Sequence, residues 1–285
     1  MKMKKTVGFV LMSALLLAGC GSSGTPAQSA GDAQGDQQPQ QEAGGKLAIS
    51  GSTSTEKIIK ALADEYSALH PGVEITYEGI GSSAGVKNAI DGVSDIGTAS
   101  REIKEEEKAS GLTEDVFAYD GIAVVVNPDN GVSDLTLDQI TAIYNGEITN
   151  WQQVGGKDAQ IAVVSREEGS GTRSAFEEIL GLEKITQNAD IAEGNGNVQT
   201  TVAGNPNAIG YVSFTYIDET VKPVLVEGAA PTVEEVLAGS YKLSRPFVMV
   251  YFEEQASDLA QDFISFSDSE EGQAIIEENG GIVEK

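Results

Sequence analysis

The 285-residue chain has one cysteine, one histidine and one tryptophan, and 18 basic residues against 44 acidic ones. Each scarcity removes a class of function. A lone cysteine, Cys20, permits no internal disulfide, so the folded part must rest on its apolar core. The sole histidine, His70, stands beside Pro71 in a helix-stop context, so a Ser nucleophile would lack its usual base and a metal its commonest ligand. A formal net charge of −26 argues against nucleic acid and against anionic lipid as partners. No Gly-Lys-Ser/Thr ending of a Walker A loop is present. We therefore expect no catalytic residue, no metal site and no cofactor.

The N-terminal segment sets the address. Lys2, Lys4 and Lys5 precede an apolar stretch, Val7 to Leu17, that is too short for a bilayer-spanning helix and suits a signal peptide over residues 1–19. Leu17-Ala18-Gly19-Cys20 resembles a bacterial lipobox, which would leave Cys20 as a lipid-bearing N-terminus on the extracytoplasmic face of the cell membrane. From Gly21 to Gly45 there is no Val, Ile, Leu, Met or aromatic residue. Residues 20–45 thus read as a flexible tether, with a reach on the order of 25–30 Å. Loss of the three signal lysines takes the net charge from −26 to −29. Such acidity does not forbid an anion site, because exposed charge is screened beyond about 8 Å and aimed local donors govern a closed cleft.

The remaining body, Lys46 to Lys285, suits two domains, which we place at residues 46–119 with 246–285 and at residues 120–245. Short apolar strands alternate with amphipathic helices. Leu47–Ser50 leads into a helix over 56–69, with Thr53 and Glu56 spaced as a capping box and His70-Pro71-Gly72 as the stop. Strands at 73–77 and 95–99 bracket a helix over 84–91; a charged helix near 102–108 follows. The run Gly121–Val126 reads as a buried strand crossing into the second domain. Beyond it come a helix over 137–144 behind Thr136-x-x-Gln139, strands at 161–164 and 208–212, and a helix over 174–180. A returning strand at 247–251 and helices over 257–266 and 270–278 pack back on the first domain. Tyr144 and Trp151 read as core of the second. This order argues for an α/β fold with ligand loops at the carboxyl ends of its strands.

Three loops share one grammar: Gly51-Ser52-Thr53-Ser54, Gly81-Ser82-Ser83-Ala84-Gly85 and Gly169-Ser170-Gly171-Thr172. Each follows a strand and opens a helix. Free amides at a helix N-terminus, the helix dipole and rotatable hydroxyls together suit a tetrahedral oxyanion. One such loop alone is an ordinary cap; three together point to a shared ligand. Gly79-Ile80-Gly81-Ser82-Ser83-Ala84 also fits a dinucleotide fingerprint, but Ser100-Arg101 stands where an acidic ribose partner would be needed. Arg166, just past a strand and four residues before Ser170, could clamp an oxyanion bidentately or merely pair with Glu167 or Glu168. Arg101 is a second cationic candidate.

These loops, with Ser165-Arg166-x-x-Gly169-Ser170-Gly171-Thr172, Asn145–Trp151 and Ala208-Ile209-Gly210-Tyr211 in that order, resemble the phosphate-binding subunit of the phosphate-specific ABC transporter in its lipoprotein form. The resemblance covers nearly all of residues 46–285. It implies a two-domain, hinged, periplasmic-binding-protein-like (type II) fold with inorganic phosphate in the interdomain cleft, monomeric and docking on permease subunits. Carried over, Thr53, Ser54 and Ser82 would bind from one domain and Arg166, Ser170, Gly171 and Thr172 from the other, with Ser83, Arg101 and Glu168 as support. Glu168 stands where the family often has an aspartate that orients the arginine. Ser100 stands where many members carry an acidic proton acceptor, so the basis for preferring phosphate over sulfate changes here. The same fold holding sulfate, molybdate or tungstate is the alternative.

Overall fold

The computed structural model describes residues 44–283; the expected signal peptide, Cys20 and all but the last two residues of the tether lie outside them. Gly45 already belongs to the folded body, its carbonyl accepting from the Glu74 amide at 2.8 Å. Among the described residues no helix is long and apolar enough to cross a membrane.

The chain runs β1 (Lys46–Gly51), α1 (Glu56–Leu69), β2 (Glu74–Gly79), α2 (Ser82–Ile90), β3 (Ile96–Ala99) and α3 (Glu105–Lys108). The long β4 (Thr113–Val126) follows, then β5 (Asp134–Leu135), α4 (Leu137–Asn145), β6 (Ala162–Arg166), α5 (Gly171–Leu180), β7 (Asp190–Ala192), α6 (Gly194–Gly204) and β8 (Ala208–Ser213). After β9 (Lys222–Pro223), β10 (Leu225–Val226) and α7 (Val233–Leu237), the chain returns through β11 (Ser244–Tyr251) and ends in α8 (Asp258–Ser267) and α9 (Glu270–Glu278).

Local sequence explains the ends of these elements. In α1, Ile58, Ile59, Leu62, Ala63 and Tyr66 recur at helical spacing and are buried. The helix stops at His70, whose ring stacks on Tyr66 at 4.2 Å before Pro71 forbids another turn. The capping box expected from Thr53 and Glu56 does not form: Thr55 is the N-cap, and the Thr53 hydroxyl is engaged elsewhere. The box before α4 does form. Gln139 donates its amide to Thr136 Oγ1 at 3.1 Å, and Thr136 donates its own to Gln139 Oε1 at 2.9 Å. Helices α2 and α5 start two to three residues earlier than the apolar pattern implies. Ser82, Gly171 and Thr172 therefore lie in first turns rather than in loops.

Nine strands form one mixed sheet in the order β2-β1-β3-β11-β4-β8-β6-β7, with β9 beside β4. Parallel groups β2-β1-β3 and β8-β6-β7 flank the antiparallel centre of β11 and β4. The expected domain boundaries thus fall inside β4 and β11, not in loops. Along β4, Ile122, Val124 and Val126 face a core shared with Tyr144, Trp151 and Phe176, while Ala123 and Val125 face one closed by α6. In the other half, Phe247 and Met249 of β11 face a core built with α1, α8 and α9; Val248 and Val250 face α2. Each half-sheet is thus covered on both faces, which leaves the strand ends as the place for a ligand.

Candidate anion-binding site

The loop after β1 is held by its neighbours. Ser52 donates its amide to the Thr98 carbonyl at 3.1 Å, and Tyr77 Oη donates to the Ser52 carbonyl at 2.6 Å. Tyr77 is also within 2.8 Å of both Thr55 Oγ1 and Thr98 Oγ1. Gly81, at φ +93°, turns the chain into α2 and directs Ser82 inward. Ser170 caps α5, its hydroxyl accepting the Arg173 amide at 3.3 Å.

These loops meet. Ser54 Oγ lies 3.0 Å from Thr172 Oγ1, although 118 residues separate them. Ser82 Oγ accepts the Ser100 amide at 3.1 Å and lies 3.4 Å from Ser100 Oγ, which accepts from Ser52 Oγ at 2.7 Å. Gly171 closes the ring from the other half: a Cβ there would collide with Ser82 Oγ and lie 2.7 Å from Ser100 Oγ. The backbone joins in where Ser83 donates its amide to the Gly169 carbonyl at 3.1 Å. Ser54, Ser82, Ser100, Ser170 and Thr172 are all buried, and Thr53 is half-buried.

Arg166 ends β6 and is 1% exposed. Its Nη1 donates to Thr172 Oγ1 and its Nη2 to Thr53 Oγ1, both at 3.3 Å, so one guanidinium spans both halves. The expected support from Glu168 is corrected: that residue is exposed, and Glu167 takes the role with a two-pronged pair, Nε to Oε2 and Nη2 to Oε1, each 2.8 Å. Glu167 also accepts the Gly194 amide at 3.1 Å, which fixes it between β6 and α6. Burial would raise the Glu167 carboxyl, but Arg166 and that amide outweigh it and hold it below its ordinary range. Arg101 is buried and does not enter the hydroxyl ring. It pairs with Glu107 through two 2.8 Å bonds and reaches Ser83 Oγ at 3.3 Å, a supporting position.

Three residues of the site were not foreseen. Asn195, at the start of α6, donates Nδ2 to both Thr53 Oγ1 and Ser54 Oγ at 3.0 Å. Arg245 donates Nη2 to Ser54 Oγ at 3.1 Å and pairs with Asp120 through Nε at 3.2 Å and Nη2 at 2.8 Å; its Nη1 is buried without a partner. Asp120 further accepts from Ser213 Oγ at 2.9 Å and the Phe214 amide at 3.2 Å. Burial pulls the Arg245 guanidinium down from its ordinary range against Asp120, and the charge of Arg166 adds to that, placing both cations in one electrostatic neighbourhood. The first residues of three helices, the loop that leads into α1, many hydroxyls and two guanidiniums thus converge. His70 stands at the far end of α1, about 21 Å along the helix axis. This is a donor-rich site suited to holding an oxyanion.

A family model for the PBP superfamily domain matches residues 36–271. The phosphate-binding protein PstS of Bacillus subtilis is 33% identical over 290 residues, covering 99% of this chain and 95% of that one. The chain belongs to the PstS family of the PBP superfamily. A solved structure from Clostridium perfringens, assigned as a phosphate ABC transporter substrate-binding protein and carrying bound phosphate, is 51% identical. It superposes with a TM-score of 0.83 over 85% of this chain and all of that one. An ABC-type phosphate transport receptor from Vibrio cholerae is 38% identical, with a TM-score of 0.72 over 84% of this chain and all of that one.

Proposed function

We propose that this PstS family member captures inorganic phosphate between the two halves of its sheet and hands it to the permease of an ABC importer. The carrying observation is the meeting of Ser54 from the β1–α1 loop, Ser82 from the start of α2, Gly171 and Thr172 from the start of α5 and Arg166 from the end of β6 in one buried cluster. The phosphate bound to the Clostridium perfringens relative supports the same ligand here. In this reading Thr53, Ser54, Ser82 and Ser100 grip phosphate from the domain of residues 46–119 and 246–285. Arg166, Ser170, Gly171 and Thr172 grip it from residues 120–245. Ligand favours closure because only the closed form offers both sets of donors. No bond is made or broken, and the protein is a monomeric receptor rather than an enzyme. Cys20 carries the lipid that keeps it on the extracytoplasmic face, with the tether giving it reach to the permease.

Calorimetric titration with phosphate, sulfate, molybdate and tungstate at pH 7 tests the reading. Phosphate binds one per chain and more tightly than each of the others. A preference for any of the other three anions would transfer the assignment to that oxyanion.

A further inference from the structure

The hydroxyls of the site are not equivalent, because some of their partners can only donate. Thr53 Oγ1 receives Asn195 Nδ2 at 3.0 Å and Arg166 Nη2 at 3.3 Å; Ser54 Oγ receives Asn195 Nδ2 at 3.0 Å and Arg245 Nη2 at 3.1 Å. A hydroxyl has two lone pairs and one proton, and an amide NH2 or a guanidinium cannot accept. Both lone pairs of each oxygen are therefore filled and each hydroxyl must donate: Ser54 to Thr172 Oγ1 at 3.0 Å, and Thr53 outward to a ligand, while Thr172, filled by Ser54 and by Arg166 Nη1 at 3.3 Å, must donate as well. Asn195 cannot reverse, since its Oδ1 accepts the Ser213 amide at 3.1 Å, and a flip would set two N–H groups against each other. Ser82 and Ser100 differ. Ser82 Oγ has the Ser100 amide and Ser100 Oγ the Ser52 hydroxyl, and the two oxygens lie 3.4 Å apart, so whichever of them donates to the other keeps one lone pair open and the pair offers one acceptor position.

We infer that Asn195 is a positioning residue that sets Thr53 directly, and Thr172 through Ser54, as obligate donors, leaving the Ser82–Ser100 pair to accept the proton of a monoprotonated oxyanion. This rests on the phosphate reading and deepens it. The ligand is held in one orientation, with unprotonated oxygens toward Thr53, Thr172 and the two arginines and its P–O–H toward the Ser82–Ser100 pair. The charged and titratable groups around Asn195 are Arg166 and Glu167 at the end of β6, Arg245 and Asp120 from the central strands, and Glu56, Glu193 and Tyr216 along the adjoining groove.

The test is titration of the full chain with inorganic phosphate from pH 5.5 to 8, for wild type, Asn195→Asp and Asn195→Ala, with melting curves for each. Asn195→Asp keeps the shape but turns two donors into an acceptor that draws both hydroxyl protons to itself. Its phosphate affinity should fall about 100-fold at pH 8, with a deficit several-fold smaller at pH 5.5, where H2PO4− and a protonated Asp restore donors. Asn195→Ala should lose about 10-fold with no such pH trend, since it removes donors without adding an acceptor. Affinities of both variants within about threefold of wild type, or an Asn195→Asp deficit independent of pH, would overturn the inference. Absence of phosphate binding by the wild type would instead sink the reading on which it stands.

Discussion

Replacing Arg166 with Ala lowers phosphate affinity about 100-fold or more, roughly 3 kcal/mol, the loss expected when a buried anion forfeits a charge-assisted donor. The geometry makes this the largest single effect on binding. Arg166 touches Thr172 in its own half and Thr53 in the other, and Glu167 grips the remaining edge of its guanidinium. Arg166→Lys recovers little, because a single ammonium cannot reach Thr53, Thr172 and the two Glu167 oxygens together. Glu167→Gln should give a milder loss than Arg166→Ala, since it slackens the guanidinium without removing it, whereas Glu168→Gln at the exposed neighbour should change nothing measurable. Calorimetry of the four variants checks the ordering. Arg166→Ala binding phosphate as wild type does would detach the guanidinium from the ligand.

Asp120→Ala has the largest expected effect on stability. Asp120 and Arg245 face each other across β4 and β11, where the two halves join, and both side chains are at most 1% exposed. Burial pushes the Asp120 carboxyl up, while Arg245, Ser213 and Phe214 pull it back toward the charged form. Removing it strands a buried guanidinium, which costs about 3–5 kcal/mol. For a domain of this size that corresponds to a fall of about 10 °C in melting temperature. Replacing both partners, Asp120→Ala with Arg245→Met, should be milder than Asp120→Ala alone, because no unpaired charge remains. A melting temperature for Asp120→Ala within about 2 °C of wild type would show that the pair contributes little.

The parts of the fold written in periodic apolar pattern were legible. The α1 stripe, the capping box of α4 and the run ending β4 each appear where the sequence places them. The three Gly-Ser-Thr loops and Arg166 likewise announce a site, because their chemistry is local. What escaped was non-local or unpatterned. Helix α6 has almost no apolar face, so Gly-Asn-Gly-Asn gave no helical signal and Asn195 passed unnoticed. Pro246 sits inside a central strand, where proline is rarely found, and that hid the start of β11 and with it Arg245. Asp120 directly precedes the apolar run and read as a boundary residue. The choice of Glu167 over Glu168 depends on which side chain β6 turns toward the Gly194 amide, a contact set by a strand pairing that no neighbouring residue encodes.

A crystal structure of the protein grown with phosphate tests the site most directly. One phosphate should lie within hydrogen-bond distance of Ser82, Thr172 and the Arg166 guanidinium at once, enclosed by groups from both halves of the sheet. Density for the anion elsewhere, or on one loop alone with the others turned away, would contradict the assignment.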